Sequence, residues 1–203
     1  MLGIIDYSLG NIKAFSNILK ANNIDFIIID NKIDLNKATK LILPGVGAFD
    51  SAIKKIKDKG IFEDLNRLVT ISKVPVLGIC VGMQIMANQS EEGKENGFSW
   101  IDGEIKRFPN QISPKLLLPH MGWNCLNETT HNKLLTNIQL DYFYFLHSFY
   151  FNCFNKDDSL ATSFYGIEFT SIVAKENIFG VQFHPEKSHE AGTQLIINFA
   201  KLC

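Results

Sequence analysis

The sequence predicts an α/β protein with a mostly parallel central sheet, helices on both of its faces, and an added antiparallel portion. Three observations carry that expectation. In the first eighty residues, short apolar runs alternate with segments of helical periodicity, the pattern of βαβ units whose strands are buried on both sides. From about residue 101 the runs become rich in β-branched and aromatic residues and follow one another with no helix between, which reads as strands, several of them antiparallel. No linker rich in Pro, Ser or charge divides the two halves. With 203 residues, 46% of them hydrophobic, the chain can bury one substantial core, so a single domain over 1–203 is expected.

Taken in order, Leu2 to Asp6 is a short strand and Tyr7 to Asn11 a turn. Ile12, Phe15, Ile18 and Leu19 recur at helical spacing. Phe26 to Ile29, between Asp25 and Asp30, and Leu41 to Leu43 are further strands. In the turn Pro44-Gly45-Val46-Gly47, two glycines leave the backbone free to aim an N–H into a cleft, which an oxyanion hole requires. Phe49, Ala52, Ile53 and Ile56 mark a helix broken at Gly60, and Phe62, Leu65, Leu68 and Val69 another ending near Ile71. Pro75 to Cys80 reads as a buried strand, Met83 to Met86 as continuing helix, and Ser90 to Gly97 as a polar loop. The later strands are Ile101 to Phe108, Lys115 to Leu118, Tyr142 to Phe151, Leu160 to Phe164, Glu168 to Ala174 and Ile178 to Phe183. Pro119 to Asn124 reads as a loop whose Trp, Met and His suit either a local core cluster or a partner interface.

A net charge of −1 and a pI near 6.5 supply no basic field for nucleic acid or an anionic membrane. No apolar run has the length to span a bilayer, and Met1 to Asp6 lacks the basic head of a signal peptide. Cys80, Cys125, Cys153 and Cys203 show no C-x-x-C spacing, so neither a zinc site nor a disulfide framework is suggested. A soluble, cytoplasmic protein is expected.

The chemistry gathers in two stretches. Gly78-Ile79-Cys80-Val81-Gly82 ends a buried strand as a nucleophile elbow does, with Cys at the nucleophile's position and the start of a helix just beyond, whose dipole would favour thiolate. Read alone, it is equally an ordinary turn holding a small buried Cys. The second stretch is Gly180 to Glu186. Pro185 biases His184 toward extended geometry, where side chains two apart share a face, so His184 and Glu186 are expected to point the same way. A nucleophile, a base and a carboxylate to orient the base make up a catalytic triad. Read alone, Glu91 and Glu92 are solvated charges and His147 a structural histidine at a strand end.

These motifs resemble, along nearly the whole chain, the class I (triad) glutamine amidotransferases. Pro44 to Gly47, Gly78 to Gln84, Pro119 to Asn124 and Gly180 to Ser188 are similar to the corresponding stretches of the glutaminase subunits of imidazole glycerol phosphate synthases. Val81 stands where Leu is usual, and Phe149 where Tyr is common. The resemblance implies a flavodoxin-like fold and a glutaminase in which Cys80 is the nucleophile, His184 the base and Glu186 its orienting carboxylate. It implies oxyanion donors at Val46 and Val81, glutamine held by Gly47, Gln84, Glu92, His147, Ser148 and Phe149, and no metal or organic cofactor. Released ammonia needs a consumer, and the resemblance implies a (β/α)8 cyclase that makes imidazole glycerol phosphate and an aminoimidazole carboxamide ribotide in histidine biosynthesis. Asn11, Met121, Trp123 and Lys187 are the interface candidates of a heterodimer. Three other readings stay open: a sister amidotransferase of surface-sugar biosynthesis, to which Gly97 to Asp102 is similar; a Cys hydrolase or peptidase of the same fold; and a non-catalytic binding subunit.

Overall fold

The computed structural model describes residues 1–109, 116–128, 130–139 and 142–203. β1 (Leu2–Ile5) leads into α1 (Ile12–Ala21), which Asn11 caps by accepting from the Ala14 N–H, and β2 (Phe26–Ile29) follows. A short helix that periodicity did not mark, α2 (Lys32–Leu35), is capped in the same way by Asn31. β3 (Lys40–Gly45) then gives way to α3 (Phe49–Asp58) and α4 (Phe62–Thr70), and β4 (Val76–Cys80) runs directly into α5 (Val81–Gln84). The apolar stripes face the core: Phe15 and Leu19 in α1, Phe49, Ala52, Ile53 and Ile56 in α3, and Leu65, Leu68 and Val69 in α4. Phe62 is half-buried and stacks on Phe98 at 4.4 Å.

The helix expected to continue through Met86 is a single turn. The carbonyls of Ile85 and Met86 accept from the N–H groups of Phe98, Trp100 and Ile101, so the crossing segment takes the bonds that another helical turn would need. One turn sums few peptide dipoles, which removes most of the expected dipole effect on Cys80.

The second half holds β5 (Gln89–Ser90), β6 (Gly103–Arg107), β7 (His120–Asn124), β8 (Asn127–Glu128), β9 (Phe143–His147), β10 (Phe149–Cys153), β11 (Ser159–Tyr165), β12 (Ile167–Lys175), β13 (Ile178–Val181) and the closing helix α6 (His189–Leu202). Three expectations are corrected here. Pro119 to Asn124 is a strand from His120 onward rather than a loop, paired with β9, and its alternation sends Met121 and Trp123 outward. The single run from Tyr142 is broken at Ser148, because β9 pairs with β7 whereas β10 pairs with β6 and β12. Of the run from Lys115 to Leu118, Lys115 lies outside the described residues and 116–118 form no strand.

Among the described residues the main sheet runs β2-β1-β3-β4-β13-β12-β10-β6-β5, with β11 pairing β12 and β8 pairing β11. Its first five strands are parallel, in a doubly wound order, and the antiparallel portion begins at β12. In such a sheet ligands gather beyond the carboxyl ends of the strands, where β3 ends beside β4 with Gly45 opposite Cys80. Among the described residues no helix is long and apolar enough to cross a membrane.

Candidate active site

Cys80 ends β4 with φ +55° and ψ −111°, a backbone geometry that a side-chain-bearing residue holds only when its surroundings enforce it. The enforcement comes from close glycine packing. A Cβ on Gly82 would sit 1.9 Å from the Leu43 carbonyl oxygen, and one on Gly78 would sit 2.5 Å from the Gly82 oxygen. Strand, turn and neighbouring strand can approach only because both side chains are missing. Tyr7, fully buried beneath, donates to the Pro44 carbonyl at 2.6 Å. Burial and the nearby Cys80 push its phenol well above the ordinary range, so it remains a neutral donor bracing the end of β3.

His184 reaches the same cleft from the end of β13. Its Nδ1 lies 3.1 Å from Glu186 Oε1, with both side chains almost wholly buried. They do lie on one side, but for another reason than the extended geometry expected. Pro185–Lys187 is a turn of 3₁₀ helix that folds the carboxylate back under the ring. Ser188 bolts the turn in place, donating to the His184 carbonyl at 2.7 Å and accepting from Tyr144 N–H at 3.0 Å, while His184 N–H bonds the Tyr144 carbonyl at 2.8 Å. Burial disfavours the imidazolium, but hydrogen bonding and charge attraction from Cys80 and Glu186 outweigh it and raise the His184 pKa to about 10. With Nδ1–H committed to Glu186, Nε2 is the nitrogen left for sulfur and substrate. Burial, outweighing a hydrogen bond from Thr170, pushes the Cys153 thiol up to about 12.

A cleft of about 320 Å³ opens over the sulfur. Val46, Gly47, Val81, Gln84, Glu92, His147, Ser148 and Phe149 line it, with Gly47 at φ +96°. Every residue expected at the nucleophile, the oxyanion donors and the glutamine pocket therefore lines one cavity. Glu92 is exposed, yet its Oε2 accepts from Phe49 N–H at 2.8 Å, capping α3 where Ala48 has no side chain to do so. His147 is fixed by a chain of donors. Its Nδ1 meets the Phe149 carbonyl at 2.7 Å, which can only accept, so Nε2 is bare and takes His120 Nδ1–H at 3.0 Å. Burial lowers the pKa of His120 to about 4 and that of His147 to about 3, so both rings are neutral. Sequence reasoning missed the pairing of His120 with His147 and the buried Gln182. His120 and His147 lie directly opposite in the β7–β9 register, a pairing visible only once those strands are aligned.

The family description "Glutamine amidotransferase class-I" matches residues 3–202. The chain belongs to this family. Among curated amidotransferase relatives, the imidazole glycerol phosphate synthase subunit HisH of Leptospira borgpetersenii is 48% identical over the whole of both chains. The HisH subunit of Bdellovibrio bacteriovorus matches to the same extent, 48% over the whole of both. Solved structures agree on the fold at lower identity. One described as a glutamine amidotransferase superposes with a TM-score of 0.73 at 17% identity over 98% of each chain. A glutamine amidotransferase from Thermotoga maritima gives 0.64 at 19%, covering 91% of this chain and 75% of its own.

On this amidotransferase the interface candidates divide. Trp123 stacks on His189 at 4.9 Å and 7°, its edge meets Tyr144 at 5.7 Å, and Lys187 Nζ lies 5.4 Å above the same Tyr144 ring. Met121 projects from the same outward face of β7, so these three share one exposed rim. Asn11 is exposed at the start of α1, a helix that packs on the 3₁₀ turn carrying Lys187. A groove of about 1390 Å³ lies between α1, Trp123 and the first turns of α6; it borders Glu186 but not Cys80, so the smaller cleft is the one that can hold a reacting group.

Proposed function

We propose that this chain is the glutaminase subunit of an imidazole glycerol phosphate synthase, hydrolysing glutamine with Cys80, His184 and Glu186 and passing ammonia to a (β/α)8 cyclase. The observation that carries the reading is the buried Cys80–His184–Glu186 arrangement at the floor of one cleft, in a chain 48% identical end to end to subunits bearing that synthase's name. The raised His184 pKa keeps the imidazole protonated at neutral pH, and the proposed reaction starts with Cys80 attacking as thiolate. The thiolate attacks the side-chain carbonyl carbon of glutamine, and the negative charge that develops on oxygen meets the N–H groups of Val81 and Val46. One such donor contributes about 3 to 4 kcal/mol to lowering the barrier. His184 Nε2–H protonates the departing nitrogen, the C–N bond breaks, and a thioester with free ammonia remains. Neutral His184 then takes a proton from water, hydroxide attacks the thioester, and the C–S bond breaks to release glutamate and restore the ion pair. Glu186 holds Nδ1–H throughout, so each proton moves through Nε2.

The test is Cys80→Ala. It should abolish glutamine hydrolysis in the presence of the cyclase while still binding glutamine in calorimetry; turnover that persists in this variant sinks the assignment.

A further inference from the structure

Gln182 is fully buried just beyond β13, two residues before His184, and the steps above give it no part. Its backbone N–H bonds the Ser171 carbonyl at 2.9 Å. Its side chain stands between two polar groups, with Oε1 3.0 Å from Gln84 Nε2 and Nε2 3.7 Å from Cys80 Sγ. The network determines which end of the amide faces which neighbour. The Phe149 carbonyl can only accept, and it takes Gln84 Nε2 at 3.1 Å. Gln84 therefore offers the same NH₂ group to Gln182, and only the oxygen of Gln182 can answer it. The NH₂ of Gln182 is thus left facing sulfur. Flipped, two donors would oppose each other and a carbonyl oxygen would confront the thiolate.

We propose that Gln182 is a thiolate-binding residue: the relay from the Phe149 carbonyl through Gln84 and Gln182 aims a fixed N–H at Cys80 and holds sulfur ionised before glutamine arrives. Two further groups lie near sulfur: His184, whose imidazolium also favours thiolate, and the Leu146 carbonyl at 4.0 Å, which can only accept and so suits the neutral thiol. The Gln182 amide and the Leu146 carbonyl favour opposite protonation states, and the closer contact of these two belongs to the donor. Hydrogen bonds to charged groups are the stronger kind, which weights the balance further toward thiolate. The relay starts in the turn that walls the cleft, where the Phe149 carbonyl also accepts from His147. A ligand that presses on this turn therefore acts on the nucleophile through two amides.

The purpose of the relay rests on the glutaminase reading, but its test does not. The measurement is the pH profile of Cys80 alkylation by iodoacetamide in the full chain, read at that cysteine by mass spectrometry so that the other three do not contribute. Gln182→Met, close in volume but without a donor, should move the thiolate midpoint up by about one pH unit, an alkylation roughly tenfold slower below the midpoint. Gln84→Met, which leaves Gln182 present but unoriented, should move it the same way by less. An unchanged midpoint in folded Gln182→Met overturns the proposal, and should that variant not fold, Gln84→Met decides by the same criterion. Alkylation needs neither glutamine nor partner. A wild-type chain without glutaminase activity would therefore overturn the functional reading and leave this comparison standing.

Discussion

Burial alone would strip His184 of its proton, as it does His120 and His147, so the difference between these rings lies in what each meets. His184 meets a sulfur and a carboxylate, and its pKa rises to about 10. The other two meet a carbonyl, an amide and each other, and theirs fall to about 4 and 3. The consequences for stability have opposite signs. A raised folded pKa contributes stability that is complete below about 6.5 and lost as pH rises through about 10. A depressed histidine contributes stability that is complete above about 6.5 and lost as pH falls toward 4, because over that window the unfolded chain binds the extra proton. His120 sits between Tyr165 at 4.0 Å and Phe145 at 4.9 Å, so His120→Phe keeps the aromatic stack while removing a titrating group. Melting temperatures between pH 7 and 4 should fall less steeply in this variant than in the native chain; parallel curves would mean that His120 does not carry the acid sensitivity. Cys80, His184 and Glu186 were legible as residues because their neighbours, Gly78, Gly82 and Pro185, are themselves unusual. Gln182 was not, since one amide in an apolar strand carries no signal until its partners are in place.

At the scale of elements, the elbow is a packing problem solved by two absent side chains. Gly82→Ala would drive a methyl group against the backbone of Leu43, which has no rotamer to yield. Forcing atoms into a closed space costs about 1 to 3 kcal/mol, so urea unfolding should show a loss in the upper part of that range, together with loss of Cys80 reactivity. Gly60 is the control: at φ +67° with open space around it, Gly60→Ala pays only for the backbone, about 1 to 2 kcal/mol, and should leave Cys80 reactivity unchanged. Equal reactivity in both variants would show that glycine packing does not shape the elbow. Strands β1 to β4 were readable because each is a continuous apolar run with a helix after it. The later strands were harder to delimit because their ends depend on partners: Ser148 divides one aromatic run only where its two halves join different sheets, and the helix after Cys80 stops at Gln84 because the chain from Phe98 to Ile101 claims the carbonyls of Ile85 and Met86.

For the whole molecule, the βαβ rhythm of the first half and the aromatic strands of the second anticipated the sheet, because β1, β4 and β13 are buried at every residue while strands such as β6 alternate buried with less buried positions. The link from His184 to the surface was not visible in that way. The backbone of His184 hangs on the Tyr144 carbonyl, and the Tyr144 ring touches Trp123 and Lys187 on the exposed rim. On the proposed function, a partner seated on that rim would press on the element that carries His184 and would turn the Val46 N–H, beside Gly47 at φ +96°, toward the cleft. The account therefore predicts a glutaminase that is nearly silent alone while Cys80 still alkylates readily. The most direct measurement is the steady-state rate of glutamate release by the native chain, alone and with the cognate (β/α)8 cyclase carrying its nucleotide ligand, beside Cys80→Ala under both conditions. The predicted result is a rise of roughly 10² to 10³, the size of one oxyanion donor, that vanishes in Cys80→Ala. Equal rates with and without the loaded partner would contradict it.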